Sequence, residues 1–236
     1  LSPDETQLYV ANVEDGPVSA IDTQALSEVA RIPVGTAPVQ VGFTPSGDQV
    51  YVSLRDENRV AVIDTSTREV TNRIDVGPNP IQMFATADGA YVYVANQGRD
   101  AEPNDTVSVI DTATGQVVKT LTTGGGAHGV SASADGALVF VTNIADDTVS
   151  IIDVRRQEVG KTVPVGDRPH ARAVKRRIGN KHVAHAHPPA RWTSMLACGR
   201  GRSERKSPFD LAPSRVRQHY YHQIHQERFV CACASS

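Results

Sequence analysis

Val92-Tyr93-Val94-Ala95-Asn96, followed after a loop by Val107-Ser108-Val109-Ile110-Asp111, is the stretch on which the fold turns. Both runs are short and rich in β-branched and aromatic residues, so each reads as a strand. The pair recurs: Leu8 to Asn12, Val50 to Leu54 and Val139 to Asn143 match the first run, and Val18 to Asp22, Val60 to Asp64 and Val149 to Asp153 match the second. The four terminal aspartates stand 42, 47 and 42 residues apart, and the five extra residues fall in the loop from Gln97 to Asp105. One unit length with one insertion accounts for the whole region.

Turn chemistry separates the runs. Pro45-Ser-Gly-Asp48, Ala87-Asp-Gly89 and Ala134-Asp-Gly136 precede the aromatic strand, with Gly supplying the positive φ of a tight hairpin. A fourth strand in each unit ends at Gly35, Gly77, Gly124 or Gly166, and a short linker then enters the next unit through Pro38, Pro80, Ala127 or Pro169. Four short antiparallel strands at even spacing predict an all-β fold, a β-propeller of four-stranded blades. A blade cannot bury both faces alone, so neighbours must stack on one another.

The repeat spans residues 2–44, 45–86, 87–133 and 134–174, and the reading divides the chain there: a partial propeller over 1–174 and a non-repeat tail over 175–236. Residues 1–174 carry 12 Lys and Arg against 23 Asp and Glu, whereas 175–236 carry 12 against 3, so the formal net charge of −2 is a cancellation. All three Cys, Trp192 and six of the eight His lie in the tail. Its composition predicts disorder and an out-of-frame continuation; the rival is a basic tail that binds nucleic acid or another acidic surface. No run approaches the roughly 18 apolar residues of a membrane span. The sequence opens inside a repeat, so the absence of a leader carries no information.

The Val-Tyr-Val-Ala-Asn and Val-Phe-Val-Thr-Asn segments, each followed by Asp-Thr-Val-Ser-x-Ile-Asp, resemble the YVTN family of β-propeller repeats, as do the turns Ser2-Pro-Asp4 and Asp135-Gly136. The resemblance implies a propeller commonly of seven blades, often in exported bacterial or archaeal proteins. It also implies an architecture related to the cytochrome d1 and methylamine dehydrogenase heavy-chain propellers. Three complete blades, three strands of a first blade and an innermost strand at His170 to Val174 predict an open arc of such a ring. The end faces of such an arc are apolar and make the chain poorly soluble or dependent on association.

Candidate chemistry is sparse. Asp22, Asp64, Asp111 and Asp153 occupy one place in every unit, which assigns them to capping their own turns rather than to a shared ion. The acidic insertion Gly98 to Asp105 reads as a solvated loop, since it lacks the ligand spacing of a calcium site. Gly124-Gly-Gly126 has neither the helix nor the Lys of a phosphate cradle. Cys231, Cys233, His219, His222 and His225 match no structural zinc spacing. His128 and His170 are equivalent to Val39 and Ile81, at the start of the innermost strand. In the layout of the family it resembles, this position lies near the mouth of the central channel, which implies two imidazoles side by side on adjacent blades, able to ligate a metal or haem or to titrate near neutral pH. Gln40 and Gln82, one position on, add amides to the same rim.

The reading is of an exported, periplasmic or extracellular scaffold without enzymatic activity, which presents its loop face to a ligand or protein partner. No cofactor or metal is assigned. The alternatives are a redox-associated propeller holding a haem, quinone or metal at the channel mouth, and a lactonase-like hydrolase.

Overall fold

The structure, a computed structural model, describes residues 1–170. These residues form four consecutive antiparallel sheets. The first has three strands, β1 (Gln7–Ala11), β2 (Pro17–Asp22) and β3 (Ser27–Pro33). The second runs β4 (Pro38–Phe43), β5 (Gln49–Leu54), β6 (Arg59–Asp64) and β7 (Glu69–Asp75). β8 (Pro80–Ala85), β9 (Tyr91–Arg99), β10 (Glu102–Asp111) and β11 (Gln116–Thr122) make the third. β12 (Ala127–Ala132), β13 (Leu138–Asn143), β14 (Thr148–Asp153) and β15 (Glu158–Pro164) make the fourth.

Strands follow one another in space as in sequence, so each sheet is a meander and each is one blade of a β-propeller. The only helical element among the described residues is the single turn Arg55–Glu57. None is long and apolar enough to cross a membrane. The first blade has three strands, and among the described residues nothing pairs with the free edge of β1, which is consistent with a partial ring. Apart from His170, the expected strand from His170 to Val174 lies outside the described residues, as do the tail and its Cys and His.

Side-chain alternation explains the stacking. Tyr51, Val60, Val62 and Ile74 of the second blade pack on Met83, Val92, Val94 and Ile110 of the third, and equivalent sets join the first to the second and the third to the fourth. Tyr51 and Tyr93 are 1% and 0% exposed, so the aromatic of the second strand is the centre of each interblade layer. Fully burying a side chain of this size contributes roughly 1.5–3 kcal/mol.

The turns behave as their residues dictate. Gly47, Gly89 and Gly136 take φ of 84°, 74° and 72° in the hairpins that precede β5, β9 and β13. The four strand-end aspartates cap their turns: Asp22 accepts from the N–H of Gln24 and Ala25, Asp64 from Ser66 and Thr67, Asp111 from Thr114 and Asp153 from Arg156. Hydrogen bonds from the Ser66 hydroxyl and the Thr67 N–H hold the Asp64 carboxyl below its usual range.

One local expectation fails. The insertion after Gln97 is not a free loop but a continuation of the β9–β10 hairpin, with Glu102 opposite Arg99 and Pro103 opposite Gly98. The carbonyl of Gly98 accepts from the Asn79 amide at 2.8 Å, and that of Asn104 accepts from the Gly126 N–H at 2.9 Å. Bonds to the linkers on either side convert acidic loop sequence into strand.

Candidate functional site

Each innermost strand breaks register at the same place. The ladder shifts between Pro38 and Val41 in β4, between Pro80 and Met83 in β8, and between Ala127 and Val130 in β12. A bulge of this kind re-aims the side chains it contains. The residues concerned are Val39 and Gln40, Ile81 and Gln82, and His128 and Gly129.

The linkers that lead into these bulges turn through Ala37, Asn79 and Gly126, and the last linker turns through Arg168, all with φ between 46° and 70°. The last linker is tied to the β14 turn. Asp147 accepts from the Arg168 N–H at 2.8 Å through its carboxylate, and its carbonyl accepts from the Val165 N–H at 2.8 Å. That anchor brings His170 over the neighbouring blade. The imidazoles of His128 and His170 lie 5.0 Å apart, centroid to centroid, and cross at 87°.

The two rings differ in environment. His170 is exposed and His128 half-buried, with its Nδ1 enclosed and without a hydrogen-bond partner among the described residues. Burial lowers the His128 pKa from its ordinary 6.5, and the nearby charges of His170 and Arg168 lower it further. The neutral ring is therefore the favoured form at pH 7.

The amides fare differently. Gln40 reaches sideways, and its Oε1 accepts the Met83 N–H at 2.5 Å, one blade on. The Gln40 N–H itself donates to Ser53 Oγ, which donates in turn to the Ile81 carbonyl. Gln82 is half-buried and has no side-chain partner among the described residues. The structure thus joins His128 to His170 and commits the oxygen of Gln40 to holding two blades together. The bulges that aim these residues leave no mark in a single strand's sequence. Pro38 and Pro80 open two of the three bulged strands, but Ala127 opens the third, so no residue common to all of them marks the bulge.

A cavity of about 490 Å³ opens at the other end of the innermost strands, where the hairpin turns gather. Phe43, Met83, Phe84 and Ala132 line it, and Gln40 is the only one of the four predicted site residues to reach it. No group of three or more His, Cys, Asp or Glu forms among the described residues, so the carboxylate and histidine cluster of a hydrolase is not assembled there.

A family model described as YNCE-like beta-propeller matches residues 50–198, more than half of the chain. The chain belongs to the YNCE-like β-propeller family. A second model, Cytochrome D1 heme domain, matches residues 1–85, which bears out the expected kinship with the cytochrome d1 type of propeller. Among solved structures, this YNCE-like chain resembles one titled Kuenenia stuttgartiensis Hydrazine Synthase, with 25% identity and a TM-score of 0.65 over 69% of this chain and 47% of that one. It also resembles the dihydro-heme d1 dehydrogenase NirN in complex with DHE, with 19% identity and a TM-score of 0.59 over 72% of this chain and 38% of that one. The chain thus spans less than half the length of either. No curated protein matches. The cytochrome D1 match overturns the expectation of a scaffold without enzymatic activity and favours the redox-associated reading in its place.

Proposed function

We propose that this YNCE-like propeller is haem-associated, holding a haem at the mouth of its channel beside His128 and His170. The observation that carries the reading is the match of residues 1–85 to the Cytochrome D1 heme domain. Two resembling structures have titles naming a hydrazine synthase and a haem d1 dehydrogenase, which accords with it. The histidines lie outside the matched segment, so the ligand set is this chain's own.

The residues present fit such a group. His128 offers a neutral imidazole with one ring nitrogen buried and unpartnered, His170 a second imidazole 5.0 Å away, and Arg168 a positive charge suited to a haem carboxylate. A bound haem iron would supply reversible one-electron chemistry. The protein's part is to fix the two rings, which the β12 bulge and the Asp147 anchor do. Export to the periplasm or extracellular space is part of the same proposal, as is the assignment of the repeats to the YVTN type.

The test is haemin titration of the purified chain, followed by its Soret band. We expect saturable binding near one haem per chain, weakened about tenfold or more by His128→Ala, a loss of ~1.4 kcal/mol. Absence of a Soret shift, or binding indifferent to both His128→Ala and His170→Ala, would refute the site.

A further inference from the structure

In the second blade, the turn between β5 and β6 touches two linkers, the one that enters the blade and the one that leaves it. Glu57 Oε1 accepts the N–H of Thr36 in the entering linker at 2.6 Å, and Asn58 Oδ1 accepts that of Asn79 in the leaving linker at 3.0 Å. The fourth blade repeats the arrangement between β13 and β14. There Asp146 Oδ2 accepts the N–H of Gly125 at 2.7 Å, and Asp147 Oδ1 accepts that of Arg168 at 2.8 Å. Asn58 and Asp147 share the left-handed conformation, with φ of 55° and 54°.

In the fourth blade the two linkers are those that lead to the histidines, His128 just after Gly125 and His170 just after Arg168. The first of them needs the support more. It runs Gly124-Gly-Gly-Ala127, without the proline that restricts the backbone at Pro38, Pro80 and Pro169 in the other linkers. It is also pressed against the turn, since a Cβ at Gly125 would meet Asp146 Oδ1 at 2.8 Å.

We propose that the Asp146-Asp147 dipeptide sets the spacing of the two imidazoles, one carboxylate holding the linker of His128 and the other that of His170. Both are positioning residues for the haem site proposed above: their part in haem binding rests on that reading, and their hold on the rings does not. The two anchors are consecutive, with Cα atoms about 3.8 Å apart. The 5.0 Å separation of the rings is therefore decided within one turn. What each anchor supplies is an acceptor oxygen rather than a charge, because the neutral amide of Asn58 does the same in the second blade.

The experiment is the nuclear Overhauser contact between the ring protons of His128 and His170 in the full 236-residue chain, assigned with His128→Gln and His170→Gln. We expect the contact in the parent, its retention in Asp146→Asn and Asp147→Asn, and its loss in Asp146→Ala and Asp147→Ala. Asp146 is exposed, so its truncation leaves the blade folded. Glu57→Ala, which frees the equivalent linker of the second blade, should leave the contact intact. Haemin affinity should fall about fivefold in each alanine variant, the worth of one hydrogen bond, and recover in the asparagine variants. A parent without the contact, alanine variants that keep it, or asparagine variants that lose it would each overturn the proposal. A contact that follows the expected pattern in a chain that binds no haemin upholds the clamp and sinks the haem reading alone.

Discussion

The side-chain amide of Asn96 donates to the hydroxyl of Ser108 at 3.0 Å, pinning the end of β9 to β10 inside the third blade. Asn143 and Ser150 make the same bond at 2.9 Å in the fourth blade, and Asn12 and Ser19 at 2.9 Å in the first. In the second blade both partners are replaced together, by Leu54 and Ala61, and both are fully buried. Losing one partner of a buried pair strands the other, whereas replacing both with apolar groups removes the polar burden.

We therefore expect Ser108→Ala to cost about 1–3 kcal/mol, because Asn96 loses an acceptor while fully buried. The double variant Asn96→Leu with Ser108→Ala, which copies the second blade, should recover most of that loss. Urea denaturation of the two variants and the parent measures the difference. A double variant no more stable than the single one would show that the pairing is not what the position selects.

Acid should weaken the fold through His128. Its folded-state pKa lies below the ordinary 6.5, so the neutral ring is the form the fold favours. Its contribution is complete above pH 6.5 and is lost as pH falls through the lowered value. His128→Gln should flatten the stability curve in that window and leave the acid limb of the carboxylates intact. Asp64, Asp88, Asp111 and Asp135 are all held below 3.8 by hydrogen bonds, so their limb begins at lower pH. Thermal melts at about pH 7.5 and about pH 5 separate the two.

Gly77 should resist substitution. A Cβ at this position would meet Asn96 Nδ2 at 2.5 Å, and one at Gly124 would meet Asn143 Nδ2 at 2.7 Å. The linker passes directly over the buried amide of the blade it enters, leaving no room for a methyl group. Gly77→Ala should destabilise by roughly 1–3 kcal/mol, the usual cost of overpacking. Gly42→Ala, where nothing lies within 4 Å, serves as the control in the same denaturation series.

Much of this was legible before any coordinates. The equivalence of Tyr9, Tyr51, Tyr93 and Phe140 follows from period alone, and so does the pairing of His128 with His170, because equivalent residues on adjacent blades must be neighbours. The role of Gln40 was not legible. Its oxygen serves the N–H of Met83, and only the backbone bulge shows that the side chain turns toward the next blade rather than into the channel. The insertion from Gln97 to Asp105 differs from its sequence reading as a loop for a similar reason: acidic and proline-containing sequence forms strand here because Asn79 and Gly126 bond its backbone. The joint change of Asn and Ser to Leu54 and Ala61 stood in the sequence as a covariation between units.

The lengthened hairpin of β9 and β10 separates two quantities that a repeat protein would otherwise have to keep in step. Added residues extend the hairpin past the interblade layer, and Val107 and Val109 still meet the fourth blade as though the unit had its ordinary length. Chain spacing can therefore drift from unit to unit while the angular phase of the ring is conserved. The same rim carries the linkers and the histidine pair, so this is the side on which such a protein can vary its outline without altering the joints that hold it.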